Sequence, residues 1–140
     1  MSDSALSTYE LTGTRTSPHR MEVDTGDATF EVGRDANPIE FFLGSVLGCL
    51  NSTASAVARD MGIEIDELEA TVTGGVNYAT YKGEETDDRA GVQGVDVTLS
   101  VTADADEATL REWLAAVEER CPVTDNVANE TRVDVDLDVQ

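Results

Sequence analysis

The sequence is poor in basic residues, and this shortage excludes two classes of partner. Nine lysines and arginines, among which Lys82 is the one lysine, stand against 29 aspartates and glutamates, for a formal net charge of -20. Such a charge repels phosphate backbones and anionic lipid surfaces. We therefore expect no nucleic-acid partner and no membrane partner.

Histidine and cysteine are also scarce, which argues against a metal centre. One histidine and two distant cysteines give none of the close ligand spacings of zinc sites. His19 is expected as a surface or hairpin residue rather than a base. A magnesium or calcium site remains open at E-E-T-D-D, residues 84–88, although this stretch is more typical of a solvated loop. The chain has no Walker or Rossmann glycine pattern and no nucleophile-elbow serine, so we predict no metal and no cofactor.

Long uninterrupted apolar runs are missing as well. The N-terminus is polar, and the apolar stretch F-F-L-G-S-V-L-G-C-L-N, residues 41–51, is broken by glycine, serine and asparagine. We expect neither a signal peptide nor a spanning helix, and hence a cytoplasmic location. In that compartment two cysteines are expected to be reduced, redox-active or simply buried rather than a structural staple.

What the sequence does contain predicts one α+β domain over residues 1–140. Three short alternating stretches between Thr8 and Val32 predict a β-meander, and apolar spacing from Ile39 to Met61 predicts a long helix that ends at Gly62. Two further stretches alternate between apolar and polar residues and predict two strands, with a bulge at Gly74 and Gly75. A second helix is expected from a cap at Asp104 or Asp106 to about Arg120, then a C-terminal strand, in the order βββ-α-ββ-α-β.

The two cysteines are the remaining candidates for chemistry. Cys49 lies in the long helix beside Gly48, whose missing side chain opens access for a small substrate. Cys121 is expected at the C-terminus of the second helix, where the helix dipole raises a thiol's pKa. If the pair reacts, Cys49 attacks and Cys121 resolves. Each cysteine taken alone is more often a small buried hydrophobe.

Three segments together resemble the OsmC/Ohr family, the osmotically inducible and organic-hydroperoxide-resistance proteins. They are N-P-I-E-F-F-L-G-S-V-L-G-C-L-N (37–51), A-V-A-R-D-M-G-I-E-I-D-E-L (56–68) and E-E-R-C-P-V-T-D-N-V-A-N (118–129). The resemblance extends over nearly the whole chain and is greatest to the broad OsmC-like branch.

The resemblance implies a thiol-dependent peroxidase that protects against oxidative stress. Cys49 matches the peroxidatic cysteine, which attacks the O–O bond of a small organic hydroperoxide and becomes a sulfenic acid. Cys121 matches the resolving cysteine, and an external dithiol reduces the resulting disulfide. Family members are intertwined homodimers with the long helices packed centrally between the sheets.

Two supporting residues of the family are less easily matched. The peroxidases carry a glutamate ten positions before the cysteine, which here is Ile39. Glu40 lies nine before, on the opposite side of a regular helix from Cys49. The family's arginine matches Arg20 best, with Arg15 and Arg34 as alternatives. These departures keep open a non-catalytic protein that binds a hydrophobic ligand at the dimer interface, in a pocket lined by Phe41, Phe42, Leu43 and Trp113.

The acidic surface predicts that the protein is adapted to high salt, with an acidic interaction protein as the alternative. We expect the midpoint of thermal unfolding to rise from dilute buffer to molar KCl, because the screening length falls from about 10 Å at 0.1 M to about 3 Å at 1 M salt. The fluorescence of Trp113, the one tryptophan, reports the transition. An equal concentration of a non-ionic osmolyte is the control. Equal midpoints in low and high KCl would contradict the salt adaptation.

Overall fold

The computed structural model describes residues 5–140 and confirms an α+β fold in which strands precede and follow a long helix. The elements are β1 Thr12–Ser17, β2 Arg20–Asp24, β3 Thr29–Val32, α1 Pro38–Met61, β4 Ile65–Val76, β5 Val92–Ala103, α2 Glu107–Arg120 and α3 Pro122–Ala128. They fall into two compact units, one ending at Phe42 and one from Leu43 to Gln140. The expectation of a single domain stays a prediction.

The first unit is the predicted antiparallel meander. β2 pairs with β1 through Arg15 and Met21, and with β3 through Val23 and Phe30. Gly33 has a φ of +97°, and a Cβ there would meet the carbonyl oxygen of His19 at 1.9 Å. This close approach leaves room for glycine alone. The Phe30 ring stacks on Phe41 with ring centroids 5.5 Å apart.

Local signals define both ends of α1. At its start, the N–H of Asn37 donates to the Glu40 carboxylate at 2.9 Å, and the N–H of Glu40 donates to the Asn37 side-chain oxygen at 2.8 Å. This reciprocal capping box precedes a first turn that contains Pro38. At its end, Gly62 has a φ of +70° and the N–H of Ile63 donates to the Ala58 carbonyl at 2.8 Å. That pattern is a Schellman motif, as the glycine predicted.

The β4–β5 hairpin packs against the core of the second unit. Ala70 pairs with Leu99, and the register shifts between Gly74 and Val76, which confirms the predicted bulge. A Cβ on Gly74 would meet the Val92 side chain at 2.8 Å, so the strands approach closely there. Several side chains of the hairpin pack partly buried against the core: Ile65, Leu68, Val97, Leu99, Val101 and Ala103.

The core of the second unit forms between α1 and α2. Its fully buried members include Val46 and Val57 from α1 and Trp113 and Val117 from α2. The indole Nε1–H of Trp113 donates to the Ala54 carbonyl at 2.9 Å within this apolar core. Helix α2 begins at the predicted cap, because Asp106 accepts the N–H of Thr109 at 2.8 Å.

Among the described residues, α1 is long and apolar enough to cross a membrane by length and composition alone. By length and composition, the expectation that no such helix exists was therefore wrong. The glycines and serines of α1 lower its mean hydropathy too little to exclude it. Central helices of folded cores pass the same test. The buried face of α1, which includes Val46, Leu50 and Val57, packs in the core with α2.

The C-terminal region differs from the expected order. The residues after Cys121 form a short helix, α3, and residues 130–140 form no strand. A strand needs a hydrogen-bonded neighbour, and none pairs with this tail in the described chain. The alternating apolar side chains of the tail are almost fully exposed: Val133 81%, Val135 89%, Leu137 87% and Val139 79%.

Replacing Trp113 tests the bond between α2 and α1. We expect Trp113→Phe to lower the free energy of unfolding by about 2 kcal/mol, because the Ala54 carbonyl loses its side-chain donor and the core loses volume. Chemical denaturation in molar KCl, followed by circular dichroism, measures the change. Tyr81→Phe at a 74% exposed position is the control and should change stability by less than about 0.5 kcal/mol. Equal effects of the two changes would contradict this role for the indole.

Candidate functional site

Cys49 and Cys121, far apart in the sequence, meet in the second unit. Cys49 lies in the fourth turn of α1 and is half-buried, whereas Cys121 follows the last residue of α2 and is 1% exposed. Both are free thiols, and each affects the pKa of the other, so the two side chains lie close together. The structure therefore brings together the two cysteines that the sequence singled out.

Cys121 lies at the start of a helix as well as at the end of one, which differs from the expectation. It ends α2 and also serves as the N-cap residue of α3, with φ -80° and ψ 112°. The Thr124 hydroxyl donates to the Cys121 carbonyl at 3.2 Å, and the N–H groups of Val123 and Thr124 lower the pKa of the Cys121 thiol. No regular capping hydrogen bond reaches the sulfur, so these donors act mainly as nearby dipoles.

These donors act on the pKa of both thiols. Burial raises the pKa of the Cys121 thiol, but the donors from Thr124, Cys49 and Val123 together outweigh it and hold the pKa below its ordinary value. Burial also raises the pKa of the Cys49 thiol, and the Val123 N–H and the Thr53 hydroxyl offset this only in part. The expectation that Cys121 is the poorer thiolate considered only the C-terminus of α2 and not the donors at the start of α3.

The other predicted site residues lie in the first unit. Glu40 forms the capping box with Asn37, so its carboxylate already accepts a backbone N–H. Arg20 begins β2, opposite Ser17, and its side chain is exposed. The two alternatives for the arginine, Arg15 and Arg34, are exposed as well. Their roles stay predictions.

The remaining candidates lie on the surface. His19 is exposed in the turn between β1 and β2. Within the acidic stretch 84–88, Asp88 and Thr86 accept hydrogen bonds from the Asn77 side-chain amide at 2.9 and 3.3 Å. Across residues 5–140 no cluster of three or more histidine, cysteine or acidic side chains could hold a metal ion.

A cavity of about 550 Å³ opens in the second unit. Apolar side chains from α1, β5 and α2 form much of its wall, including Val46, Leu50, Val97 and Leu114. Thr124 lines it too, next to Cys121, and three acidic residues contribute: Glu118, Glu119 and Asp125. The pocket expected from sequence included Trp113, but Trp113 is a core residue, 2% exposed, and does not line this cavity.

Three residues near the sulfurs do not stand out in the sequence. Thr53 lies one turn after Cys49, and Val123 and Thr124 belong to the first turn of α3. Cys-Pro at 121–122 indicates a helix end, although proline is also favoured in a first helical turn. The missed signal was therefore the start of α3 immediately after the end of α2.

Comparisons with known proteins agree with this fold. The family model described as "OsmC-like protein" matches residues 31–136. An OsmC-like protein from Mycoplasma pneumoniae has 18% sequence identity, with 89% of each chain covered and a TM-score of 0.76. The organic hydroperoxide resistance protein OhrB of Bacillus subtilis has 24% identity, with 88% of this chain and 92% of that chain covered and a TM-score of 0.55.

A third structure extends the same comparison. An organic hydroperoxide resistance protein OsmC from Legionella pneumophila has 16% identity, with 87% of this chain and 90% of that chain covered and a TM-score of 0.65. At these identities the structural neighbours establish the fold alone. Comparison with curated protein sequences gives no match. The family model covers most of the chain, including both elements that meet at the cysteines, and the chain therefore belongs to the OsmC-like protein family.

Proposed function

We propose that the protein is a thiol-dependent peroxidase that reduces organic hydroperoxides and protects the cell against oxidative stress. The observation that carries the proposal is the proximity of Cys49 and Cys121, two free thiols from separate helices that affect each other's pKa. Cys49 is the more accessible of the two, as an attacking residue needs to be. The resistance proteins among the structural neighbours are consistent with this activity.

The reaction uses the pair in two steps. The Cys49 thiolate attacks the outer oxygen of the hydroperoxide, the O–O bond breaks, and Cys49 becomes a sulfenic acid while the alkoxide leaves and takes up a proton. The Cys121 thiolate then attacks the Cys49 sulfur, releases hydroxide, and forms a disulfide. An external dithiol reduces that disulfide by exchange and becomes oxidised itself.

We also propose where the reaction takes place and which residues support it. The cytoplasm supplies dithiol reductants, so we place the reaction there, without nucleic acid, membrane or cofactor. Arg20 supplies the positive charge that favours a thiolate and polarises the peroxide. The family resemblance assigns Glu40 to the same site as Arg20. The Glu40 carboxylate also caps α1.

The proposal includes a homodimer, because a single chain leaves apolar surface without a partner. The exposed tail carries apolar side chains at alternate positions: Val133, Val135, Leu137 and Val139. On α1, a Cβ built on Gly44 or Gly48 meets no atom within 4 Å, so this stripe is open to a close approach by another helix. A second copy of the chain would bury both surfaces.

A second function, binding of a small hydrophobic ligand without catalysis, has one observation in its favour. The cavity of about 550 Å³ has the size and the apolar walls of a small-molecule site. It lies beside Thr124, and therefore it equally suits the organic part of a hydroperoxide. Reaction of the cysteines distinguishes the two functions.

Peptide mapping after one equivalent of cumene hydroperoxide tests the peroxidase. In molar KCl we expect a Cys49–Cys121 disulfide within seconds in the wild type, because the two thiols already lie close enough to affect each other's pKa. Cys121→Ser should stop at a Cys49 sulfenic acid, trapped with dimedone, and Cys49→Ser should form no disulfide. Unmodified thiols after minutes in the wild type would exclude the peroxidase, and ligand screening of the cavity would follow.

Light scattering tests the dimer. We expect a mass of twice 15.0 kDa for the wild type and a shift toward the monomer for the double change Val135→Asp and Leu137→Asp, which places charge at two exposed apolar positions of the tail. Asp134→Asn with Asp136→Asn is the matched control at the neighbouring polar positions and should keep the dimer. A wild type that remains monomeric at high protein concentration would contradict the proposal.

A further inference from the structure

The cavity of the second unit has an apolar interior and an acidic opening. Val46 and Leu50 of α1 line it and are 0% and 5% exposed, so this part of the wall lies deep in the unit. The three carboxylates of the wall belong to exposed residues: Glu118, Glu119 and Asp125. Exposure therefore increases from the apolar side chains to the acidic ones, and the carboxylates lie where the cavity meets solvent.

The side-chain donors of the wall already have acceptors within the protein. The Thr124 hydroxyl donates to the Cys121 carbonyl at 3.2 Å. The Asn129 amide donates to the Asp125 carbonyl at 3.0 Å and to the Asp125 carboxylate at 3.2 Å. Among the described residues, no lysine, arginine or histidine lines the cavity. A negatively charged group at the opening would therefore meet carboxylates and no positive side chain.

The neighbouring elements do not supply the missing positive charge. Arg120 follows Glu119 in the chain, but its guanidinium bonds the Asp60 carboxylate at 3.0 Å and is not part of the wall. Strand β5 contributes apolar side chains to the wall: Val95, Val97 and Leu99. The electrostatic potential at the opening is therefore negative.

The same cavity lies beside the cysteine that attacks the hydroperoxide in the proposed reaction. Val46 precedes Cys49 by three residues, and side chains at this spacing are neighbours on a helix surface. Leu50 follows Cys49 directly, and Thr124 bonds the Cys121 carbonyl. A hydroperoxide with its O–O bond at Cys49 can thus place its organic part against the apolar wall.

We propose that the cavity selects organic hydroperoxides by charge. It binds an uncharged organic part and discriminates against one that carries a carboxylate, and Glu118, Glu119 and Asp125 determine this specificity. The inference rests on the peroxidase function proposed above. An uncharged organic part gains free energy when the apolar walls remove it from water. A carboxylate at the opening would lose hydration and meet only like charge.

A matched pair of substrates tests the selection. Cumene hydroperoxide with a para carboxylate and the methyl ester of the same compound share the reacting group and differ in charge. The value of kcat/KM is measured for each in molar KCl, with dithiothreitol as the reductant. At a screening length of about 3 Å, the net charge of -20 no longer repels the substrate at long range. We expect kcat/KM to be about tenfold or more lower for the carboxylate, because like charges at short range still repel.

Neutral variants locate the discrimination. The triple change Glu118→Gln, Glu119→Gln and Asp125→Asn preserves the size of the side chains and should reduce the ratio of ester to carboxylate to about threefold or less. The control removes the same charge at exposed residues of the second unit outside the cavity wall: Glu67→Gln, Glu69→Gln and Glu112→Gln. This control should keep the ratio of the wild type. Circular dichroism verifies that both variants fold.

Binding of the corresponding alcohols gives a readout that needs no peroxidase activity. These compounds carry a hydroxyl in place of the hydroperoxide, with the same para ester or carboxylate. The methyl NMR signals of Leu50 and Leu114 report occupation of the cavity. We expect the Kd of the ester to be about tenfold or more below that of the carboxylate. The triple change should bring the two Kd values together.

The outcomes separate this inference from the proposed function. Equal kcat/KM values for ester and carboxylate in the wild type, or the same ratio in the wild type and the triple variant, would overturn the charge selection and leave the peroxidase intact. A wild type that consumes neither hydroperoxide would overturn the peroxidase. The alcohols would then still decide on the cavity, because equal Kd values, or no shift with either alcohol, would overturn its preference for uncharged compounds.

Discussion

The arrangement of the second unit depends on one buried hydrogen bond, from the Trp113 indole to the Ala54 carbonyl at 2.9 Å. An indole N–H left without an acceptor in an apolar core costs about 1–3 kcal/mol, so this bond favours the packing in which Trp113 reaches α1. Two further contacts follow at the end of α2, the Arg120–Asp60 ion pair and the contact of Cys121 with Cys49. The ion pair is half-exposed and adds at most about 1 kcal/mol. The core bond is therefore the main polar constraint that brings the two sulfurs together.

Local signals explain why much of the fold could be predicted from the sequence. The glycine after Met61 predicted the Schellman end of α1, and Asp106 predicted the start of α2. The paired glycines at 74 and 75 predicted the bulge in β4. In each case the feature is determined by a few adjacent residues.

The failures involve features that adjacent residues do not determine. The tail has the alternation of a strand, but a strand also needs a neighbour, and none pairs with it in the described chain. The contact between Cys49 and Cys121 depends on how α1 and α2 pack. The sequence supplied both cysteines and their assigned roles, while the donors from Val123, Thr124 and Thr53 emerged only from the packed helices.

Pro122 explains how Cys121 can end α2 and still have a thiol pKa below its ordinary value. If α2 continued past Cys121, the N–H groups of Val123 and Thr124 would bond the carbonyls of the preceding turn and would be unavailable to the sulfur. Proline has no N–H to continue the helix, and Cys121 adopts an extended ψ of 112°. The chain then restarts as α3, whose first N–H groups have no helical acceptor. The sulfur of Cys121 lies next to these groups, so the break in the backbone provides the positive environment that a charged side chain supplies at other sites.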